Sequence, residues 1–157
     1  MTKAVILRTL GTVEQIDLPD EDGGYAVIRD AVGGYIDAVR ADDFIGYVHD
    51  EGLLIGLAPN VMATFLFARP IVGDVVIVGC LNERGEYDGE NHDVPDVFTH
   101  PDFIETCQRL ADSEHMVNEV ADLAEEAVNT PPKVWAVTDD EFDEWLANGY
   151  LPNRDPE

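Results

Sequence analysis

The hydrophobic positions of this chain change their spacing several times, and each change predicts an element. Val5, Ile6 and Leu7 form a short apolar run, β-branched at two positions and bounded by Gly11, which predicts a strand. Residues 13–18 alternate more weakly and close on Pro19, a second strand. Tyr25, Ile28, Ala31 and Val32 recur at three- to four-residue spacing, one face of a short helix whose start the polar break at 20–24 can cap. Gly33-Gly34 stops it, because glycine takes left-handed angles without steric cost. Residues 35–40 and 44–49 read as strands joined by a turn at Asp42-Asp43. Asp50-Glu51-Gly52 reads as a tight turn into a third strand over 53–57, giving an antiparallel meander. Ala58-Pro59-Asn60 breaks it, and 61–68 reads as a short buried helix. After the turn at Gly73-Asp74, Val75-Val76-Ile77-Val78 is apolar at every position and predicts a central strand.

The pattern shifts past Gly79. Residues 82–96 are charged and short of aliphatics, a long exposed loop or hairpin. Thr99-His100-Pro101-Asp102 opens a helix, with Thr99 or Asp102 as cap and His100 in a local capping role; its stripe is Phe103, Ile104, Cys107 and Leu110. A second helix starts at Ser113, with Val117, Val120, Leu123, Ala124 and Ala127 at helical spacing. Thr130-Pro131-Pro132 ends it, and 133–137 reads as a short extended segment. Thr138-Asp139-Asp140-Glu141 is a capping-box pattern opening a last helix through Leu146. The expected fold is α+β. A small mixed or antiparallel sheet with one or two helices occupies 1–80, an acidic loop plus helices over 81–151 packs on it, and 152–157 is a frayed tail.

Charge changes this picture most in the second half. The 157 residues carry 33 acidic and 9 basic side chains, net −24. Residues 1–80 are net −7 and residues 81–157 net −17. Such a field repels nucleic acid and anionic membranes and favours a basic partner; it also suits a protein adapted to high salt. The 45% hydrophobic content argues for a folded chain, and no apolar run reaches membrane-spanning length or forms a signal-peptide core. The expectation is a soluble, cytoplasmic protein, with no cofactor, no direct nucleic acid and no membrane. Two cysteines, Cys80 and Cys107, make no disulfide framework.

Catalytic signatures are missing. His49, His92, His100 and His115 form no H-x-x-H or H-E-x-x-H. The glycine pairs form no phosphate loop, and Ser113, the only serine, opens a helix. Residues 82–93 have the oxygen density of a cation loop without its register. No catalytic or metal-binding residue is assigned. The candidate partner-binding residues are Glu119, Asp122, Glu125 and Glu126 on the second helix, and Asp139, Asp140, Glu141, Asp143, Glu144 and Trp145 on the last.

One set of residues carries a resemblance: Val32-Gly33-Gly34-Tyr35-Ile36-Asp37, Asp50-Glu51-Gly52-Leu53, Gly56-Leu57-Ala58-Pro59-Asn60, Ala63, and residues 71–79 with Gly73-Asp74. In order and spacing these resemble the domain of unknown function 3846 family, over roughly residues 1–80. That family usually has Glu where this chain has Asp37. The resemblance implies a phage or mobile-element setting and a compact α+β domain, and makes Gly33, Gly34, Tyr35, Gly73 and Asp74 structural markers. It brings no activity. The expected function is a non-catalytic accessory protein that binds a basic host macromolecule, such as a nucleic-acid-binding protein, through acidic surface. DNA mimicry in an anti-restriction or anti-defence role is its specific form. The alternatives are a small-ligand or cation-binding domain with a pocket near Gly33-Gly34 and Tyr35, or a structural homo-oligomer whose acidity reflects solvent adaptation.

Overall fold

The computed structural model describes residues 1–129. Strands β1 (Thr2–Leu7), β2 (Val13–Leu18), β3 (Ile36–Arg40), β4 (Phe44–His49), β5 (Val75–Leu81) and β6 (Tyr87–His92) form one antiparallel sheet. Its order is β2-β1-β5-β4-β3, and β6 pairs with the far end of β5. The fold is α+β.

β5 is central, as its unbroken apolar run requires. Its side chains alternate between two cores. Val75 and Ile77 join Val5, Leu7, Ala63, Phe67, Phe98 and Cys107 on one face. Val76 and Val78 join Ala4, Ile6, Ile28, Val32 and Ile45 on the other. Helix α1 (Tyr25–Val32) covers this second face. The first face is covered by α3 (Val61–Phe67) and α4 (Pro101–Asp112), with Phe44, Phe67, Phe98 and Phe103 linked edge to face at 5.0–5.4 Å between centroids. Edge-to-face pairing suits the ring quadrupoles. Helix α5 (Glu114–Asn129) packs outside this layer, against α3, α4 and the short α2 (Gly52–Ile55).

Three expectations are corrected. Residues 53–57 are not a strand. Gly52–Ile55 forms one helical turn ended by Gly56 at φ 72°, and Leu54 and Ile55 are exposed. An apolar run too short to show a period does not distinguish the two conformations. The meander therefore ends at β4, whose second partner is β5, reached across α2 and α3. The polar break before α1 supplies no side-chain cap: residues Glu21–Gly24 form a 3₁₀ turn, and Gly24, left-handed, stands at the N-cap.

At α4 the cap is His100, whose Nδ1 accepts from the Asp102 amide at 3.1 Å while Pro101 takes the first helical position. Ser113 caps α5 through Oγ, accepting from Met116 N at 3.3 Å. Val94, Phe98 and Cys107 enter the core built by the first 80 residues, so that core extends into α4. The segment after β6 continues along β1, with Val94 N donating to Lys3 O at 2.8 Å. The expected segment at 133–137, last helix and tail lie outside the described residues.

Candidate functional site

Several of the family-like residues lie where elements of the fold meet. Gly33, at φ 93°, ends α1 and donates its N–H to Arg29 O at 2.8 Å. The place a side chain would take on Gly34 is filled by the His49 ring, so the pair lets the α1–β3 link pass close beneath β4. Tyr35 is exposed, with the Arg29 guanidinium over its ring at 4.6 Å. His49 Nδ1 accepts from the Glu51 amide at 3.0 Å, which makes it a turn residue.

A second joint is larger. Asn60 is buried, at 2% exposure, and uses every polar atom of its side chain productively. Its Nδ2 donates to Leu7 O at 2.9 Å and to Gly73 O at 3.0 Å, and its Oδ1 caps α3 by accepting from Ala63 N at 3.2 Å. One side chain thus joins β1, the turn before β5 and α3. Beside it, Asp74 accepts from Thr9 N at 3.0 Å and from Arg8 Nη1 at 2.9 Å. The hydrogen bond to Asp74, followed by that to Glu14, raises the Arg8 pKa above its ordinary value. Asp74→Ala is expected to destabilise by about 2 kcal/mol, since it orphans an amide as well as breaking a half-exposed ion pair, and Asp74→Asn by less than about 1 kcal/mol. Urea midpoints of the two variants check this.

The acidic face of α5 is the one extended surface feature built from the candidate residues. Glu119, Asp122, Glu125 and Glu126 are all exposed. At about 100° per residue they lie within an arc of about 120°, and Glu114 widens it only slightly. The opposite arc carries the buried Val120 and the half-buried Met116, Ala124 and Ala127. From Glu114 to Glu126 the five carboxylates span about 18 Å, a mean axial interval of about 4.5 Å against the 3.4 Å charge spacing of one DNA strand. The helix contains no lysine or arginine, and among the described residues its only ion pair is His115–Glu119 at 4.0 Å. Glu125 and Glu126 lie in the last turns, where the helix dipole disfavours negative charge. Asp139, Asp140, Glu141, Asp143, Glu144 and Trp145 lie outside the described residues.

The titratable groups of the β5–β6 hairpin and Cys107 of the core are held within the fold. Residues 82–93 form the β5–β6 hairpin, where Asn82 Oδ1 accepts from the Arg84 and Glu86 amides. His92 Nε2 bonds both Asp88 oxygens, at 2.8 and 2.9 Å, and this contact, then the Glu90 amide, lowers the Asp88 pKa. Burial pushes the Cys107 thiol up to about 11, the behaviour of a core residue rather than a nucleophile. Among the described residues no three His, Cys, Asp or Glu side chains converge as a metal site would require. No described helix is long and apolar enough to cross a membrane.

These features define an antiparallel α+β domain whose marker residues fasten the sheet and its helices, with an acidic helix on the outside. The chain belongs to the family described as "Domain of unknown function (DUF3846)", which it matches over residues 1–100. The match takes in β6 and the turn at Asp96–Thr99, beyond the end near residue 80 expected from the marker residues alone. No curated protein and no solved structure matches the chain.

Proposed function

We propose that this protein is a non-catalytic accessory protein of a phage or mobile element, and that it binds a basic host protein through the acidic face of α5. DNA mimicry is the specific form of the reading: the face occupies a nucleic-acid-binding site in the manner of a phosphate row. The observation that supports it is the row of exposed carboxylates, without lysine or arginine, on a single solvent face of α5. Like charges three and four residues apart cost a helix about 0.2–0.5 kcal/mol per pair. The two at its C-terminal end work against the dipole as well. A face that opposes its own helix is accounted for by what it meets outside.

The test separates function from stability by sign. In the variant E119Q/D122N/E125Q/E126Q, the described fold is expected to be more stable by about 0.5–1 kcal/mol, because repulsion is removed. Capture of the partner by the immobilised full chain is expected to fall at least about tenfold, since exposed charge pairs supply about 0.2–1 kcal/mol each and four are removed together. Undiminished capture by the neutral variant overturns the proposal.

A further inference from the structure

The strand path β2-β1-β5-β4-β3 ends in two edges that are finished differently. At β3, Asp50 N donates to Tyr35 O and Ala41 N to Phe44 O, both at 2.9 Å. Odd-numbered residues therefore face β4, and Ile36, Ala38 and Arg40 turn their backbone outward. Asp37 closes the middle of that edge, its Oδ1 accepting from Ala38 N at 2.9 Å. At β2, Arg8 N donates to Thr12 O at 3.0 Å, which sets the even-numbered residues against β1. Val13, Gln15 and Asp17 thus turn their N–H and C=O groups outward, and among the described residues none of these groups has a hydrogen-bond partner. β2 contains no proline, lysine or bulge to blunt its edge. An open row of backbone groups on a sheet edge is a template for a further strand.

We propose that the β2 edge receives an extended segment of a partner protein, one that places lysine or arginine opposite Asp17 and an apolar residue opposite Ile16. Charge selects this occupant. β2 carries Glu14 and Asp17 and no basic residue. Beside it lies a cavity of about 380 Å³ whose lining includes Lys3, Gln15, Asp17, Asp96 and Thr99. Two carboxylates against one ammonium leave that lining net negative. On an added strand, the residue opposite Asp17 stands about 5 Å from it on the same face, so a long cationic side chain there is within reach of the cavity. Ile16, on the other face, is half-buried against the core and gives an apolar neighbour a surface to extend. A second copy does not fit. Two paired β2 strands would bring together the carboxylates of two chains, each of net charge −24, and like charges across a strand pair are destabilising. None of these residues lies on α5, so the inference stands apart from the function proposed for that helix.

Amide hydrogen exchange and peptide binding test this on the full chain. The probe is a short peptide alternating lysine with valine, blocked at both ends, at physiological salt. In the free protein the amides of Val13, Gln15 and Asp17 are expected to exchange rapidly at every protein concentration. The peptide slows all three and leaves Ile36 and Arg40 unchanged. Methylating alternate backbone nitrogens of the peptide keeps its charge, removes its edge hydrogen bonds and is expected to abolish the slowing. Gln15→Pro deletes one outward N–H without touching the pairing to β1, and weakens the peptide about fivefold. D17N/D96N leaves the backbone intact and also weakens it, with the three amides still slowed at saturation. Rapid exchange at β2 with no binding of the lysine–valine peptide overturns the proposal. So do β2 amides already slow in the free chain, and slowing that appears only as protein concentration rises, which assigns the edge to a second copy. Equal binding of the methylated peptide reduces the contact to charge alone and overturns it too, as does an affinity that neither Gln15→Pro nor D17N/D96N changes.

Discussion

Asn60→Ala is expected to lower the unfolding free energy by about 3 kcal/mol. The loss has two parts. Removing an N-cap costs about 1 kcal/mol. Leaving buried acceptors without a donor costs about 1–3 kcal/mol for the group affected, and here both Leu7 O and Gly73 O lose Nδ2. Asn60→Asp sharpens the assignment. It keeps the oxygen that caps Ala63, but turns a carboxylate towards two carbonyls. Burial and those carbonyls raise the folded-state pKa of the new acid, so its charged form opposes folding. The deficit should be largest near neutral pH and shrink as pH falls through that raised pKa. Urea midpoints at two pH values measure both effects. A loss below about 1 kcal/mol for Asn60→Ala would remove Asn60 from its place as the joint between β1, α3 and β5.

Gly11→Val is expected to cost a similar amount and to act on the helices. Gly11 sits in the β1–β2 turn at φ 92°, where a side chain costs about 1–2 kcal/mol. A Cβ there would lie 2.7 Å from Ala111 Cβ and 3.0 Å from Cys107 O, against the body of α4. Overpacking adds about 1–3 kcal/mol, because a helix backbone cannot yield as a flexible side chain can. The strain is relieved by lifting α4, which also breaks the 3.2 Å bond from Gln108 Nε2 to Leu10 O. Cys107 lies on the lifted face. In a Cys80→Ala background, its reaction with a thiol reagent under native conditions should accelerate well beyond what global unfolding predicts. Unchanged reactivity would mean that the turn does not hold α4 in place.

The elements with a clear period were legible in the sequence. The four-residue apolar core of β5 announced a central strand, and the spacing of Tyr25, Ile28 and Val32 announced α1 with its stop at Gly33. Leu53 to Leu57 reads as a strand because five residues cannot show a helical period, and the glycine that ends the helical turn also suits a strand boundary. The role of Asn60 was half visible. An asparagine before an apolar run is an N-cap signal, whereas its bonds to Leu7 and Gly73 depend on chain segments 53 and 13 residues away that only the fold brings together. Gly33, Gly34, Gly73 and Asp74 stand out in the sequence as turn residues, but nothing local says which strand each one fastens. The acidic face of α5 was readable as composition. That Glu119, Asp122, Glu125 and Glu126 share one solvent side needed only the period of the helix, once the buried side was fixed by Val120.

Competition decides whether the α5 face acts as a DNA mimic. The host partner captured by the full chain is challenged with short duplex DNA and, separately, with rising salt. If the α5 face stands in for a phosphate row, duplex DNA releases the partner competitively, and log K falls linearly with log salt at a slope set by the number of charges engaged. The slope for the neutral variant E119Q/D122N/E125Q/E126Q is then shallower by several units. A partner that stays bound in excess DNA, with a salt slope near zero and equal for both chains, contradicts DNA mimicry by α5.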